Sequence, residues 1–298
     1  MNTVDANEVA ALLETGATLI DVLPEENFEA EHIPRAINAC VYEMAFVGKV
    51  EALLGDRDRD IITYGAGAGS LDAPTAAAKL RGAGYTRVHV FAGGLAEWKA
   101  NGRPVGGTGI IPGPFEADAV YVIDPAASVI RWTGRNLFNF HHGTLRLAGG
   151  ELQVDHGILR SGEFEIDMNS MACDDLTDAA TNALLIRHLR DDDFFDVDRF
   201  PAARCQITRA TPIPGATLGT PNFQLEGAMT VRGITEPIAF PAVIAQADAD
   251  NLTGQAQFEF DRTRFGSQYG SGRFFAFLGR HVVNDHVQLH VKLNARRI

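Results

Sequence analysis

Asp5 and Glu8 stand at capping-box spacing, and Val9, Leu12 and Leu13 recur at helical intervals until Gly16, which predicts a first helix. Short apolar runs follow at 18–22, 61–64 and 87–91. Helical patterns fall at 72–83, with Ala76, Ala77 and Leu80 on one face, and at 94–100, with Leu95 and Trp98. Continuous β-branched runs separated by helices predict strands buried on both faces of a mostly parallel sheet. Residues 1–105 are therefore expected to form a three-layer α/β domain. Residues 101–114 are rich in Gly and Pro and lack periodicity, which predicts a linker, placed at 106–119, with Ile110 and Ile111 as points that pin part of it to a surface.

Beyond the linker the period changes to two. Residues 163–170 and 223–231 alternate polar with apolar, and 255–261, with Phe258 and Phe260 pointing one way, and 287–293 continue the pattern. Antiparallel strands with one apolar face each bury that face and lose their edges by closing into a barrel, here over 120–298. One segment departs: Leu184, Leu185 and Leu189 sit at helical spacing after an Asp178 cap, predicting a short helix that plugs or flanks one barrel end.

The chain has 298 residues, 46% of them apolar and 21% charged, enough for two folded domains with separate cores. A net charge of −12, divided evenly between the two halves, disfavours nucleic acid and anionic membrane surfaces as partners. Cys40, Cys173 and Cys205 have neither disulfide nor metal-ligand spacing and are expected to be buried small hydrophobes. The first residues lack the basic and apolar regions of a signal peptide, and no run is long enough for a transmembrane segment, so a soluble cytoplasmic protein is expected.

In the front segment Asp21-Val22-Leu23-Pro24-Glu25-Glu26, His32-Ile33-Pro34-Arg35-Ala36-Ile37-Asn38 and Gly93-Gly94-Leu95-Ala96-Glu97-Trp98 occur in that order. This segment resembles a rhodanese (sulfurtransferase) domain. The resemblance implies a catalytic cysteine in the loop after 61–64, but that loop reads Tyr64-Gly65-Ala66-Gly67-Ala68-Gly69-Ser70, with Gly65 where the thiol belongs. Without a thiolate no sulfane sulfur can be carried, so a non-enzyme is expected here. Gly65, Ala66, Gly67, Ala68, Gly69 and Ser70 are candidates for an anion loop, because glycines let backbone N–H groups converge ahead of a helix N-terminus. The other reading is that small residues fill a vacated pocket. The loop lacks full Gly-x-Gly-x-x-Gly spacing and the acidic residue of a dinucleotide site. Ser70 has no activating base near it in sequence, and Cys40 follows the His-Ile-Pro strand and is not a substitute nucleophile.

In the rear segment Tyr121-Val122-Ile123-Asp124-Pro125, Ser128-Val129-Ile130-Arg131-Trp132, His188-Leu189 followed by Phe194-Phe195-Asp196-Val197, Gly227 to Pro237 and Arg262-Thr263-Arg264-Phe265-Gly266 together resemble the YceI-like family. The resemblance implies a lipocalin-like, eight-stranded antiparallel barrel that binds a polyisoprenoid, an isoprenoid quinone or a fatty-acid-like molecule. The candidate lining residues are Trp132, Phe138, Phe140, Phe164, Ile166, Met168, Phe194, Phe195, Phe258, Phe260, Phe265 and Phe277. Burying methylene groups is worth about 0.8 kcal/mol each, so an apolar tunnel can hold a prenyl chain without catalytic residues. His141, His142, His188, Asp174 and Asp175 are metal-ligand types, but adjacent strand residues face opposite ways, so His141 and His142 share a metal only across a bulge. No metal or cofactor is expected, and His188 is expected to brace the helix before Phe194.

The leading expectation is a non-catalytic carrier for a long apolar ligand, with an inactive rhodanese-like module that binds a protein partner or an anion. The alternatives are a sulfur-handling or lipid-modifying enzyme using His141 or His142 as acid or base, and an interaction scaffold with a solid barrel.

Overall fold

The computed structural model describes residues 2–109, 118–246, 248 and 250–298. Residues 110–117, with Ile110 and Ile111, lie outside the described residues. The chain divides into two units, Met1–Gly113 and Pro114–Ile298.

The first unit is a five-stranded parallel sheet. Its strands are β1 (Asn2–Thr3), β2 (Thr18–Asp21), β3 (Ile37–Asn38), β4 (Ile61–Tyr64) and β5 (Val88–Phe91), in the order β1-β5-β4-β2-β3. Helices α1 (Ala6–Glu14), α2 (Glu25–Ala30), α3 (Phe46–Leu54), α4 (Asp72–Gly82) and α5 (Gly94–Ala100) connect them. The expected capping box is present: the Asp5 carboxylate accepts from the Asn7 and Glu8 N–H groups, and Glu8 accepts from the Asp5 N–H. Side chains alternate along a strand, so neighbours serve different cores. Leu19 and Ile62 join Val9, Leu13, Phe91 and Trp98 on one face, while Ile20 and Ile61 join Phe46, Val50, Ala77 and Leu80 on the other. Both faces are covered, which is why these strands read as unbroken apolar runs.

The second unit is a closed antiparallel barrel of β6 (Ala119–Ile123), β7 (Val129–Arg135), β8 (Phe140–Asp155), β9 (Ile158–Cys173), β10 (Ala202–Pro212), β11 (Phe223–Val231), β12 (Ile234–Gln246), β13 (Asn251–Asp261) and β14 (His286–Arg297). Nine segments fill eight positions. β6 and β7 are two halves of one strand, interrupted at 124–128, and both lie between β8 and β14. From there each strand pairs with the next, and β13 pairs with β14 over eleven residue pairs. The long β8 and β9 bend through register shifts at Thr144/Arg146, Leu147/Gly149 and Gln153/Val154. At Gly150, φ is +153° and a Cβ would lie 2.2 Å from the Glu163 carbonyl oxygen, so the bend needs glycine there.

Helix α6 (Ala179–Arg190) begins where expected, with the Asp178 carboxylate accepting from the Thr181 N–H at 2.9 Å. Its Leu185, Ile186 and Leu189 pack against the barrel core, while Leu184 is exposed. All three cysteines are free and buried. Among the described residues no helix is long and apolar enough to cross a membrane.

Candidate functional site

One end of the barrel interior is hollow. A cavity of about 250 Å³ lies among Ile130 and Trp132 on β7, Leu145 on β8, Ile166, Met168 and Met171 on β9, Ala203 on β10, Met229 and Val231 on β11, Phe260 on β13 and Leu289 on β14. These positions are inward by the two-residue period of each strand, except that Met171 is brought to the same face as Met168 by the irregularity of β9 between them, where the register to β8 shifts. Leu185, His188 and Leu189 of α6 and the consecutive Phe194 and Phe195 close one side. A second, wholly apolar void of about 50 Å³ lies further along the barrel, lined by Phe164, Leu225, Phe240 and Leu293 among others. Strand periodicity puts Leu147, Cys205 and Phe258 at the inward positions between the two, and Phe258 stacks on Phe240 with ring centroids 4.1 Å apart.

Polar groups of the larger cavity gather at the barrel rim: Arg135, Asn136, His141, His188, Arg262 and Tyr269. Arg262 is almost fully buried and donates to the carbonyl oxygens of Asn284, Ser267 and Val283 at 3.0, 2.7 and 3.1 Å. Its guanidinium lies 5.1 Å from the Phe194 ring centroid, so it ties the segment before β14 to the cavity wall. His188 stands edge-on to both Phe194 and Tyr269, with centroids 5.3 and 4.6 Å away. His141 is oriented by Asp175, whose Oδ2 is 2.8 Å from its Nδ1. Burial pushes the Asp175 pKa up, but hydrogen bonds from the His142 N–H, the His141 ring and the Cys173 thiol outweigh it and bring the carboxyl down to about 2. Among the lining residues there is no Ser, Thr, Cys, Lys or carboxylate.

In the first unit the 65–70 loop follows β4 and precedes α4. The Leu95 and Ala96 N–H groups donate to the Gly65 and Ala66 carbonyl oxygens at 2.9 and 3.1 Å. The Asp72 carboxylate is buried against the loop and accepts the Ala66 N–H at 3.2 Å. A Cβ on Gly65 would lie 2.2 Å from Asp72 Oδ2, and one on Gly67 would lie 2.9 Å from the Ala96 Cβ. Asp21, fully buried on the adjoining strand, has its pKa raised chiefly by burial, with Asp72 adding to the rise and hydrogen bonds from Tyr64 and the Leu23 N–H opposing it. Two carboxylates therefore lie beside the loop.

Residues 121–295, more than half of the chain, match the YceI-like domain family. The chain belongs to the YceI-like family. Ahead of this domain, residues 5–101 match the rhodanese-like domain family. An HTH-type transcriptional regulator of Mycobacterium tuberculosis is 42% identical over 88 residues, which are 30% of this chain and 37% of that protein. A UPF0312 protein of Shewanella denitrificans is 28% identical over 127 residues, 42% of this chain and 61% of that protein. The chain thus spans less than two thirds of the length of these curated relatives. A polyisoprenoid-binding domain from Saccharophagus degradans, implicated in plant cell wall breakdown, is 13% identical, with a TM-score of 0.43 over 61% of this chain and 100% of that one.

Within the YceI-like barrel, Trp132, Ile166, Met168, Phe194, Phe195 and Phe260 come together on the larger cavity. Phe164 lines the smaller void. Phe258 and Phe265 are packed rather than lining: Phe258 stacks on Phe240, and the buried Phe265 meets Phe260 edge-on at 5.7 Å. Phe138, Phe140 and Phe277 stand outside, at 68%, 59% and 105% relative exposure, which corrects the expectation that they face inward. The reason for Phe140 is periodicity: His141 points into the cavity, so Phe140 and His142 share the outer face and stack there at 6.1 Å. Phe138 and Phe277 lie in loops, where no strand period fixes direction. His188 braces Phe194 and also lines the cavity. Met171, Ala203, Met229, Val231 and Tyr269 are lining residues that the aromatic signal missed. Asp118, Asp155 and His156 lie close enough to share an ion, but Asp118 and His156 are exposed and Asp155 with His156 forms an ordinary surface pair.

Proposed function

We propose that the YceI-like domain is a non-catalytic carrier that holds the chain of an isoprenoid or fatty-acid-like molecule in its barrel. The observation that carries this reading is the cavity of about 250 Å³, apolar in depth and polar only at its rim. Its volume lies just below that of ordinary small-molecule sites, which suits a short chain or the terminal units of a longer one. His141, held by Asp175, and Tyr269 are placed to meet a polar headgroup at the rim. Carriage rather than chemistry is favoured because the lining offers an oriented imidazole but no hydroxyl or thiol nucleophile apart from the Tyr269 phenol.

The rhodanese-like domain serves in this reading as a protein-docking module without sulfur transfer. Gly65 offers no thiol, and Asp72 occupies the space a side chain there would need. Partner binding is preferred over anion binding because Asp72 already accepts a loop N–H and Asp21 adds a second buried carboxyl group. The free buried cysteines suit a reducing cytoplasm.

Organic extraction of the purified chain followed by mass spectrometry, together with titration by a fluorescent prenyl probe, tests the carrier. Recovery of a long-chain lipid or saturable probe uptake is expected. No lipid and no uptake would leave the barrel a scaffold. Thiosulfate and cyanide turnover above a buffer blank would overturn the inactive reading of the front domain.

A further inference from the structure

The cavity reaches the rim at Asn136, Tyr269 and Val283, and the two loops that build this rim carry apolar residues on the outside. They spring from one place: Asn136 bridges to Val283, and the Asn284 N–H donates to the Arg135 carbonyl oxygen at 2.8 Å. On the longer loop Phe274 and Phe275 are each 48% exposed and Phe277 is fully exposed, while Leu137 and Phe138 project from the shorter. Phe277 also has φ +63°, a conformation bulky residues rarely adopt, so the loop holds this ring outward against local preference. Exposed aromatic clusters around a pocket mouth mark contact surfaces.

Charge selects the partner. In a chain of net charge −12, residues 125–150 and 262–284, which contain both loops, hold no Asp or Glu and seven Arg. Near the barrel wall these arginines are matched: Arg273 pairs with Asp261, Arg264 with Glu236, and Arg135 lies 3.7 Å from Glu259. Among the described residues Arg280, beyond the phenylalanines, makes no ion pair. The acidic run at 191–193 follows α6 and lies close by, with Asp193 Oδ2 3.4 Å from His188, whose ring stands edge-on to Tyr269, while the two loops themselves carry no carboxylate.

We propose that this rim is a membrane-docking surface: the phenylalanines enter the interfacial region of a bilayer, and Arg280 meets anionic lipid headgroups, bringing the cavity mouth against the phase in which an apolar cargo dissolves. Chain-wide charge conceals this, because the two loops themselves carry no carboxylate and the acidic groups near them are held in pairs, as Asp261 with Arg273 and Glu236 with Arg264. The surface goes beyond the carrier reading, and its binding to vesicles is measured without any cargo.

Flotation of the full chain with vesicles of phosphatidylcholine, alone or mixed with phosphatidylglycerol, tests the proposal. The wild type is expected to float with both and more strongly with the mixture. The triple variant Phe274→Ser, Phe275→Ser, Phe277→Ser removes only exposed side chains, and its vesicle partitioning is expected to fall about tenfold or more. Arg280→Glu is expected to lose about fivefold or more, on the anionic vesicles only. Prenyl-probe uptake in vesicle-free buffer, measured in parallel, is expected to survive both changes, which separates failure of docking from failure of the carrier reading. A wild type that floats with neither vesicle, or a triple variant that floats as well as the wild type, overturns the proposal. So does a concentration-dependent dimer, seen by sedimentation, that the triple variant dissolves while the wild type ignores vesicles.

Discussion

Ala203→Leu gives two effects of opposite sign if the barrel holds its ligand where the void lies. Ala203 is buried on β10 opposite Ile166, and both line the cavity. Leucine there adds three carbon atoms, and at about 0.8 kcal/mol per buried methylene the transfer gain is close to 2 kcal/mol. In the empty protein those atoms enter space that is already enclosed, so the barrel is expected to gain up to that amount. For a barrel of this size it corresponds to a rise in melting temperature of about 4–8 °C. The same atoms exclude a similar part of the ligand, so probe affinity is expected to fall about thirtyfold. Scanning calorimetry without ligand and a fluorescence titration measure the two. A variant that melts higher but binds the probe as tightly as wild type would place the ligand elsewhere. A variant that melts several degrees lower would mean overpacking, with no room beside Ala203 for a larger side chain.

Gly65→Cys is expected to remain inactive with thiosulfate and cyanide and to lose about 1–3 kcal/mol in a denaturant melt, because its Cβ would sit 2.2 Å from Asp72 Oδ2. Turnover by this variant would show that Asp72 yields readily. The Asp175 carboxyl is depressed to about 2, below its unfolded value, so its stabilisation is complete above about pH 4 and is lost as pH falls toward 2. Asp175→Asn is thus expected to melt lower at pH 7 and to match wild type near pH 2, and a gap constant between those values would refute the assignment. Asp178→Ala removes the α6 cap at a cost of about 1 kcal/mol, and loosening Leu185 and His188 is expected to weaken probe binding, whereas an unchanged probe affinity would detach α6 from the site.

Periodicity made most of the fold legible. The apolar runs at β2, β4 and β5 announced strands covered on both faces, and the alternation in β9, β11, β13 and β14 announced a barrel. β12 was harder to see because Pro237 and Pro241 interrupt its pattern, and β10 because its inward residues include the small Ala203 and Cys205. At the site, large aromatic residues were a useful guide on strands and a poor one in loops: Trp132 and Phe260 face in, while Phe138 and Phe277 face out. The alternation that separates His141 from His142 also turns Phe140 outward. The pattern around Asp72 shows only a helix; its role against Gly65 depends on how the loop folds back, which no local pattern encodes.

The barrel closes through β14, which joins both halves of the first strand to β13 across more than 150 residues of intervening chain. Contacts so distant in sequence form slowly and late. During synthesis the parallel-sheet unit can mature first, while the barrel waits for its final strand with its greasy interior open. Leu289, on that strand, also lines the hollow. The pocket is therefore complete only when β14 is in place, and in the carrier reading a finished barrel is what loads cargo.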